Sequence, residues 1–338
     1  MKILVTGVAG FIGCFTAKKL LDMGYEVVGI DNLCDYYDVS LKEARLKLLE
    51  PYPNFIFLRM DISDKNQVAG LFNGHRPDIV INLAAQPGIR YGITHPHSYI
   101  NSNIVGFLNI LEGCRAIGVK HLVYASSSSV YGANTKMPFS ESDPVNHPLC
   151  LYAATKKANE MMAHSYAHLF GFPTTGLRFF TVYGPWGRPD MALFKFAKKI
   201  VNGEPIDVYN NGNMERDFTY IDDIVEGVVK IALGKPPKEN DKWDGENPDP
   251  ATSSVAPFKI YNIGRGEPCK LMDYIHGLEK ALGKKAVINM LPMQAGEVLK
   301  TWADSSELYR KTKYKPKVSI KVGIKNFADW FKEYYKLV

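Results

Sequence analysis

The sequence Ile3-Leu4-Val5-Thr6-Gly7-Val8-Ala9-Gly10-Phe11-Ile12-Gly13 decides the fold class of this 338-residue chain. Its apolar start predicts a buried β-strand, and residues 11–23 predict a helix that ends at Gly24. Between strand and helix, Gly7 permits a tight turn, Gly10 lets the backbone approach a pyrophosphate, and Gly13 lets the helix pack closely on the strand. The stretch therefore predicts a dinucleotide-binding site.

Short apolar strands and helical patterns alternate as far as about residue 180. The later strands are predicted at residues 27–30, 55–58, 79–83, 121–125 and 174–178, and the helical patterns include residues 103–116 and 152–170. Continuous apolar strands between helices are typical of a parallel sheet covered on both faces. We predict an α/β fold: a Rossmann-like, doubly wound parallel sheet with a smaller α/β C-terminal substrate lobe.

The loss of regular alternation near residue 180 predicts two domains. Residues 1–180 form the predicted dinucleotide-binding domain, and residues of about 217–262 are expected to return to it. Residues 181–338 form mainly the substrate lobe. Within this lobe, residues 235–257 are rich in Pro, Asp, Asn and Ser, which predicts an exposed, mobile insertion.

An acidic residue at the end of the second predicted strand favours NAD as the dinucleotide. Asp31 follows Gly13 at the spacing typical of this fingerprint. A carboxylate there accepts hydrogen bonds from the adenosine ribose and repels the 2′-phosphate of NADP. The weaker alternative is a set of structural glycines with Asp31 as a capping residue.

Tyr152 and Lys156 stand one helical turn apart at the start of a predicted helix. A lysine there lowers the cost of forming a phenolate, so Tyr152 is a candidate base near neutral pH. The serine run 126–129 ends the fifth predicted strand, at the edge where open α/β sheets bind ligands. These hydroxyls are candidates to bind a sugar, and a serine-rich turn without a ligand is the alternative.

In this order, the motifs resemble those of the extended short-chain dehydrogenase/reductase family, over essentially the whole chain. Within that family the chain resembles the NAD-dependent nucleotide-sugar epimerases. Residues 37–42, 178–192 and 216–223 are similar to UDP-glucuronate 4-epimerases in particular. The resemblance implies epimerisation of UDP-glucuronate to UDP-galacturonate, and the alternative is a 4-epimerase of neutral UDP-hexoses such as UDP-glucose or UDP-N-acetylglucosamine.

The family's mechanism implies roles for several residues. Tyr152, held as a phenolate by Lys156, takes the proton from the sugar 4-hydroxyl while C4 gives its hydride to NAD, and Ser127 assists. The 4-keto sugar then rotates and takes the hydride back on its other face. The related 4,6-dehydratases carry an Asp-Glu pair where this chain has Ser128 and Ser129, and the decarboxylases carry a glutamate at the latter position. The serines therefore favour simple epimerisation.

Further site residues follow from position or from the resemblance. Among the substrate-binding residues, Tyr209 is expected to stack on uracil, Arg216 to bind the pyrophosphate, and Glu297 to bind the uridine ribose. Many sugar epimerases carry an arginine where this chain has residues 293–295, which leaves the source of a second phosphate contact open. The predicted NAD-binding residues are Gly7, Gly10, Phe11, Ile12, Gly13, Asp31, Asn32, Asp61, Ile62, Leu83, Ala84, Ala85, Asn103, Ser126, Tyr152, Lys156 and Phe179. The predicted substrate-binding residues are Ser127, Ser128, Ser129, Arg90, Thr181, Arg188, Tyr209, Arg216 and Glu297.

Composition limits the classes of partner and the cellular compartment that we expect. The net charge of +6 suits an anionic small molecule, and without a long Lys/Arg run it predicts no nucleic-acid partner. Five scattered cysteines indicate reduced thiols in the cytoplasm. We expect no signal peptide, no membrane partner and no metal site, and we interpret His164 and His168 as an exposed helix face rather than a metal pair.

The resemblance implies a homodimer, because relatives pair the helices at residues 103–116 and 152–170 across a two-fold axis.

A cofactor-binding protein on a dehydrogenase fold that has lost its activity is the alternative to an enzyme. Such proteins usually lose the tyrosine or the lysine of the catalytic pair, and Tyr152 and Lys156 are both present.

Overall fold

The computed structural model describes residues 1–293 and 299–337. Its strands are, in chain order, β1 (Lys2–Thr6), β2 (Glu26–Asp31), β3 (Phe55–Arg59), β4 (Ile79–Asn82), β5 (His121–Ser127), β6 (Thr174–Phe179), β7 (Thr181–Tyr183), β8 (Pro205–Val208), β9 (Glu215–Tyr220), β10 (Phe258–Ile263), β11 (Pro268–Lys270), β12 (Val287–Met290) and β13 (Lys300–Thr301). Its α-helices are α1 (Phe11–Asp22), α2 (Val39–Lys47), α3 (Lys65–His75), α4 (Tyr91–Thr94), α5 (Pro96–Tyr99), α6 (Gly106–Ile117), α7 (Leu151–Phe170), α8 (Ala192–Asn202), α9 (Ile221–Leu233), α10 (Leu271–Leu282), α11 (Ser306–Thr312) and α12 (Ile320–Tyr334).

Within the described residues, the central sheet has seven strands in the order β10-β6-β5-β4-β1-β2-β3. Every neighbouring pair is parallel, and the predicted Rossmann-like, doubly wound sheet is confirmed. The strand order reverses between β1 and β4, and ligands bind at such a point, beyond the carboxyl ends of the strands. The turns after β1, β4 and β5 therefore meet at one place.

Helices cover both faces of this sheet. The helices α1 and α9 pack against each other on one face, and α3 and α6 pack against each other on the other. Ile3, Leu4 and Val5 of β1 are fully buried between these layers, which explains why this part of the strand is apolar without alternation. The predicted helix at residues 103–116 begins with a π-helical turn, Ile100–Val105, which runs directly into α6.

The later part of the chain builds a second layer of strands over the same edge of the central sheet. The strand β9 pairs antiparallel with β11 and parallel with β13 and β7, while β12 pairs with β8. After β9, the chain returns through α9 to β10 at the edge of the central sheet. The domain limits themselves stay a prediction.

Residues 235–257, predicted to be an exposed, mobile insertion, pack in part against α7. Ala251 and Ala256 are buried. The ring of His164 forms a 3.0 Å hydrogen bond with the Ser253 hydroxyl, and His168 Nδ1 donates to the Val255 carbonyl at 2.7 Å. The two histidines thus hold this segment on the helix, and its mobility stays a prediction.

Across residues 1–293 and 299–337, no cluster of three or more His, Cys, Asp or Glu side chains is arranged to hold a metal ion. In the same ranges, no helix has the length and apolar character needed to cross a bilayer.

Candidate active site

A cleft of about 1160 Å³ lies at the carboxyl ends of the central strands. Single-ligand pockets typically have about 300–1,000 Å³, so this cleft has room for a cofactor and a substrate. Asn103 lies behind the lining, and Glu297 lies outside the described residues. The predicted residues that line the cleft are Gly7, Gly10, Phe11, Ile12, Gly13, Asp31, Asn32, Asp61, Ile62, Leu83, Ala84, Ala85, Arg90, Ser126, Ser127, Ser128, Ser129, Tyr152, Lys156, Phe179, Thr181, Arg188, Tyr209 and Arg216.

Gly7, Gly10 and Gly13 form a tightly packed cradle at the N-terminus of α1. Gly7 has a φ of +70°, and a Cβ added there would lie 2.9 Å from the backbone nitrogen of Ala84. A Cβ on Gly13 would lie 2.1 Å from the Gly7 carbonyl oxygen. Among the described residues, no side chain caps the N-terminus of α1, so its first N–H groups face the cleft as a site for an anion.

Asp31 is fixed beside this cradle by backbone hydrogen bonds. Its carboxylate accepts from the amides of Ala9 at 3.1 Å and Leu33 at 2.8 Å. Burial raises the pKa of Asp31, and these N–H groups together with the charge of Lys42 act in the opposite direction. A carboxylate so placed fits the ribose hydroxyls of NAD, and the open N-terminus of α1 fits its pyrophosphate.

Asp61 and Asn32 form a second polar contact on the same side of the cleft. The side-chain amide of Asn32 donates to Asp61 at 2.7 Å, and Ser63 donates to the other carboxylate oxygen through its hydroxyl and its backbone N–H. Burial acts to raise the pKa of Asp61, but the hydrogen bonds outweigh it and hold that pKa below its usual value. The carboxylate is therefore ionised at neutral pH.

Tyr152 and Lys156 both project from the first turns of α7 into the cleft. The Lys156 ammonium donates to the Ala125 carbonyl at 2.9 Å, and burial lowers the pKa of Lys156 to about 8. Burial raises the pKa of Tyr152, while a hydrogen bond from Ser127 and the charge of Arg188 lower it. Ser127 and Arg188 therefore both favour the phenolate, and the effect of Lys156 on Tyr152 stays a prediction.

The serine run is anchored from behind by a buried ion pair that we did not predict. The Ser126 hydroxyl donates to Glu160 at 2.7 Å, and Glu160 binds Arg178 through two hydrogen bonds of 2.9 and 3.0 Å. Glu160 and Arg178 are fully buried. The signal in the sequence is a charged residue, Arg178, at the end of the strand predicted at residues 174–178. With Ser126 engaged in this way, Ser127 and Ser129 bond to each other at the cleft surface.

Asn103 acts on the site through its neighbours. Its side-chain oxygen accepts from the amide of Gln86 at 2.8 Å, and its side-chain nitrogen donates to Thr155 at 3.0 Å. Asn103 is only 2% exposed. It therefore ties the loop after β4 to the helix that carries Tyr152, and a direct contact with NAD stays a prediction.

Arg188 lies in the loop 184–190 and is held by a carboxylate. Its guanidinium donates twice to Asp190, at 2.9 and 2.5 Å, and the hydroxyl of Tyr36 donates to the same carboxylate at 3.2 Å. Burial acts to lower the pKa of Arg188, but the charge of Asp190 and its hydrogen bonds outweigh this effect and raise that pKa above its usual value. Tyr36 and Asp190 were not predicted, although both fall within or next to the segments that resemble the epimerases.

At the far end of the cleft, a residue of the loop after β4 meets predicted residues of the substrate lobe. The guanidinium of Arg90 lies 5.3 Å from the ring centre of Tyr209, which is a cation–π contact. Arg216 on β9 donates to the backbone carbonyls of Glu215 and Leu299. Thr181 begins β7, which pairs with β9, so the strand pairing connects the predicted sugar and pyrophosphate residues.

Several known proteins are similar to this chain in sequence and in fold. The model of the NAD dependent epimerase/dehydratase family matches residues 3–242. The chain is 55% identical to Protein CapI of Staphylococcus aureus, with 99% of this chain and 100% of that protein covered. It is 48% identical to a probable UDP-glucuronate 4-epimerase of Rhizobium meliloti, with 99% and 98% covered. It is also similar to the crystal structure of UDP-glucuronic acid 4-epimerase from Bacillus cereus with UDP-glucuronic acid and NAD (35% identity, TM-score 0.88, 99% and 100% covered).

Proposed function

Because the chain belongs to the NAD dependent epimerase/dehydratase family, we propose that it interconverts UDP-glucuronate and UDP-galacturonate at C4, with NAD as its cofactor. The observation that carries this proposal is one cleft in which a dinucleotide cradle, Tyr152 and a serine run without carboxylates meet. The substrate named for the Rhizobium meliloti relative and bound in the Bacillus cereus structure supports the choice of sugar.

The cradle residues would hold NAD, which supplies a reversible hydride acceptor when bound. Gly7, Gly10 and Gly13 bring the backbone and the N-terminus of α1 against the pyrophosphate. Asp31 receives the adenosine ribose hydroxyls, and its negative charge disfavours a 2′-phosphate. The cofactor is regenerated in each cycle, so we expect it to stay bound as a prosthetic group.

Tyr152 acts as the base in this proposal. Its phenolate removes the proton of the sugar 4-hydroxyl, and the resulting phenol returns a proton after the 4-keto sugar has turned its other face. The Ser127 hydroxyl donates a hydrogen bond to the phenolate oxygen and also contacts the 4-hydroxyl of the sugar. The charge of Arg188 favours the ionised form of Tyr152, and in this proposal the Lys156 ammonium on the same helix does so too.

The serine run limits the chemistry to epimerisation. Eliminating water from the sugar needs an acid and a base beside C5 and C6, and the run offers hydroxyls at Ser128 and Ser129. Such hydroxyls can bind a carboxylate through charge-assisted hydrogen bonds without reacting with it. The same bonds would limit rotation of the C5 carboxylate next to the 4-keto group, where loss of CO₂ is easy.

Replacing Thr181 by valine tests the choice of a uronic acid. The change keeps the shape and removes a hydroxyl that we place against the C6 carboxylate. We expect kcat/KM for UDP-glucuronate to fall by about 5- to 150-fold, the equivalent of about 1–3 kcal/mol for a buried group left unpaired. The NAD content should not change, and some UDP-pentose is an expected by-product. An equal loss on UDP-glucuronate and UDP-glucose would contradict the carboxylate role of Thr181.

A panel of UDP-sugars separated by chromatography tests the function as a whole. We expect UDP-glucuronate and UDP-galacturonate to interconvert, and UDP-glucose and UDP-N-acetylglucosamine to react far more slowly. Faster turnover of the neutral sugars would support the second candidate, a 4-epimerase of neutral UDP-hexoses. No turnover of any sugar by the NAD-loaded protein would support a binding protein instead.

We also propose that the protein is a homodimer paired through α6 and α7. Both helices carry exposed apolar side chains, among them Leu108 (39% exposed) and Met161 (52%), and such surfaces indicate an interface. Light scattering at micromolar concentration should give twice the mass of the chain. Met161→Glu should shift this mass toward the monomer, whereas Met23→Glu, at an equally exposed position elsewhere (48%), should not. A monomer mass for the unmodified protein would contradict the proposal.

A further inference from the structure

Arg45 on α2 is a fully buried arginine, and among the described residues no carboxylate accepts a hydrogen bond from it. Its exposed fraction is 0%. Within the described part of the chain, its five hydrogen bonds go to the carbonyls of Trp186 (3.0 and 2.7 Å), Gly187 (3.2 Å) and Ala9 (3.0 Å) and to the hydroxyl of Tyr37 (2.7 Å). Burying a guanidinium is costly, so these oriented oxygen atoms must stabilise it together.

The carbonyls that Arg45 binds belong to two separate loops. Ala9 lies within the glycine cradle, and its amide donates to Asp31. Trp186 and Gly187 lie in the loop 184–190, more than a hundred residues later in the chain. One rigid planar group therefore joins the cofactor side of the cleft to the substrate side.

The loop 184–190 depends on this contact for its shape. Trp186 has a φ of +63°, a left-handed conformation that is unfavourable for a bulky residue. Two N–H groups of Arg45 converge on its carbonyl. On the other side, the indole packs against the rings of Trp330 and Tyr334, at 5.3 and 5.1 Å between centres.

The loop also positions a charge at the reacting group. Arg188 and Asp190 follow the contact with Arg45 by one to four residues, and their ion pair lies at the cleft surface. The charge of Arg188 acts on the Tyr152 phenol. A shift of the loop would move Arg188 relative to this phenol, while a shift of the cradle would leave donors of Arg45 unpaired at a cost.

We propose that Arg45 is a positioning residue that couples the cofactor loop to the substrate loop, so that NAD and the uridine diphosphate of the substrate strengthen each other's binding. The proposal rests on the proposed function for the identity of these two ligands. Because binding couplings are reciprocal, a ligand that orders one loop must also favour the ligand of the other loop. Arg45 itself contacts neither ligand in this proposal.

The test measures how fast the holoenzyme loses NAD after dilution, with and without saturating UDP. In the unmodified protein, we expect UDP to slow this loss by about 5- to 150-fold, the usual range of a coupling between two sites. Arg45→Lys keeps the charge but offers fewer donors in a different geometry, and it should bring the ratio close to one. Lys47→Met, at an exposed position of the same helix, is the matched control and should keep the ratio of the unmodified protein.

Three further results decide the matter. An unchanged ratio in Arg45→Lys would overturn the proposal. A ratio of one in the unmodified protein with UDP bound would also overturn it. This measurement needs no variant, so the test stays valid if Arg45→Lys does not fold. UDP binding is measured on the same samples by calorimetry. Binding without slower loss of NAD overturns the coupling, whereas absence of UDP binding contradicts the proposed function.

Hydrogen exchange offers a second measurement, in which UDP should protect residues 7–13 as well as residues 184–190.

Discussion

Tyr152→Phe is expected to reduce the turnover of UDP-glucuronate by about 10²- to 10⁴-fold, the usual contribution of a general base. The substitution removes one hydroxyl and keeps the ring, whose edge contact with Tyr99 (6.3 Å between centres) is retained. Folding and NAD content should therefore be unchanged. Steady-state kinetics together with the amount of NAD released on acid denaturation measure both parts of this expectation.

The matched control for this variant lies on the same helix. Tyr166 belongs to α7, and its hydroxyl donates to Glu112 at 2.7 Å, outside the cleft lining. Tyr166→Phe loses a comparable hydrogen bond without approaching the site, so its turnover should stay within about twofold, as is usual for surface changes. Near-normal turnover in Tyr152→Phe would remove this residue from the role of base.

Gly13→Ala is expected to weaken the binding of NAD and to lower the NAD content of the purified protein. The added methyl group would lie 2.1 Å from the Gly7 carbonyl oxygen and 2.8 Å from its carbon. The Gly7 backbone cannot retreat, because it already lies against the end of β4 at Ala84. Overpacking of this kind costs about 1–3 kcal/mol, so NAD affinity should fall by about 5- to 150-fold. The measurement is the NAD content of the purified protein, from its absorbance at 260 and 280 nm.

Gly70→Ala provides the control for a glycine-to-alanine change in a helix. Gly70 belongs to α3, and an added Cβ there would meet no atom within 4 Å. Alanine favours helix formation over glycine by about 1 kcal/mol, so this variant should be at least as stable as the parent and keep its NAD. A full complement of NAD in Gly13→Ala would contradict the account of the cradle.

Local sequence patterns predicted the central sheet because the burial and the turns of each strand are determined by residues that are close in sequence. Residues 3–5 of β1 are all apolar because both faces of the strand are covered, and the spacing of the glycines that follow it indicates the tight turn. The same holds for Tyr152 and Lys156, which one helical turn brings to the same side of α7. Positions of this kind depend on contacts of short range along the chain.

Contacts between distant segments could not be predicted in this way. Arg45 bonds to carbonyls that lie 36, 141 and 142 residues away in sequence, and backbone acceptors leave no trace in side-chain identity. Glu160 and Arg178 pair across a helix and a strand, which appears in the sequence only as two charges in apolar surroundings. The packing of residues 235–257 on α7 rests on small buried residues and backbone groups, which composition does not reveal.

The fate of an isotope at C4 tests the central claim most directly. UDP-glucuronate labelled with deuterium at C4 is incubated with the purified protein, and the product is examined by mass spectrometry and NMR. We predict UDP-galacturonate that keeps the deuterium at C4, formed more slowly than from the unlabelled sugar, because the hydride leaves and returns within one closed site. Loss of the label to solvent, or absence of UDP-galacturonate from protein that carries NAD, would contradict the account.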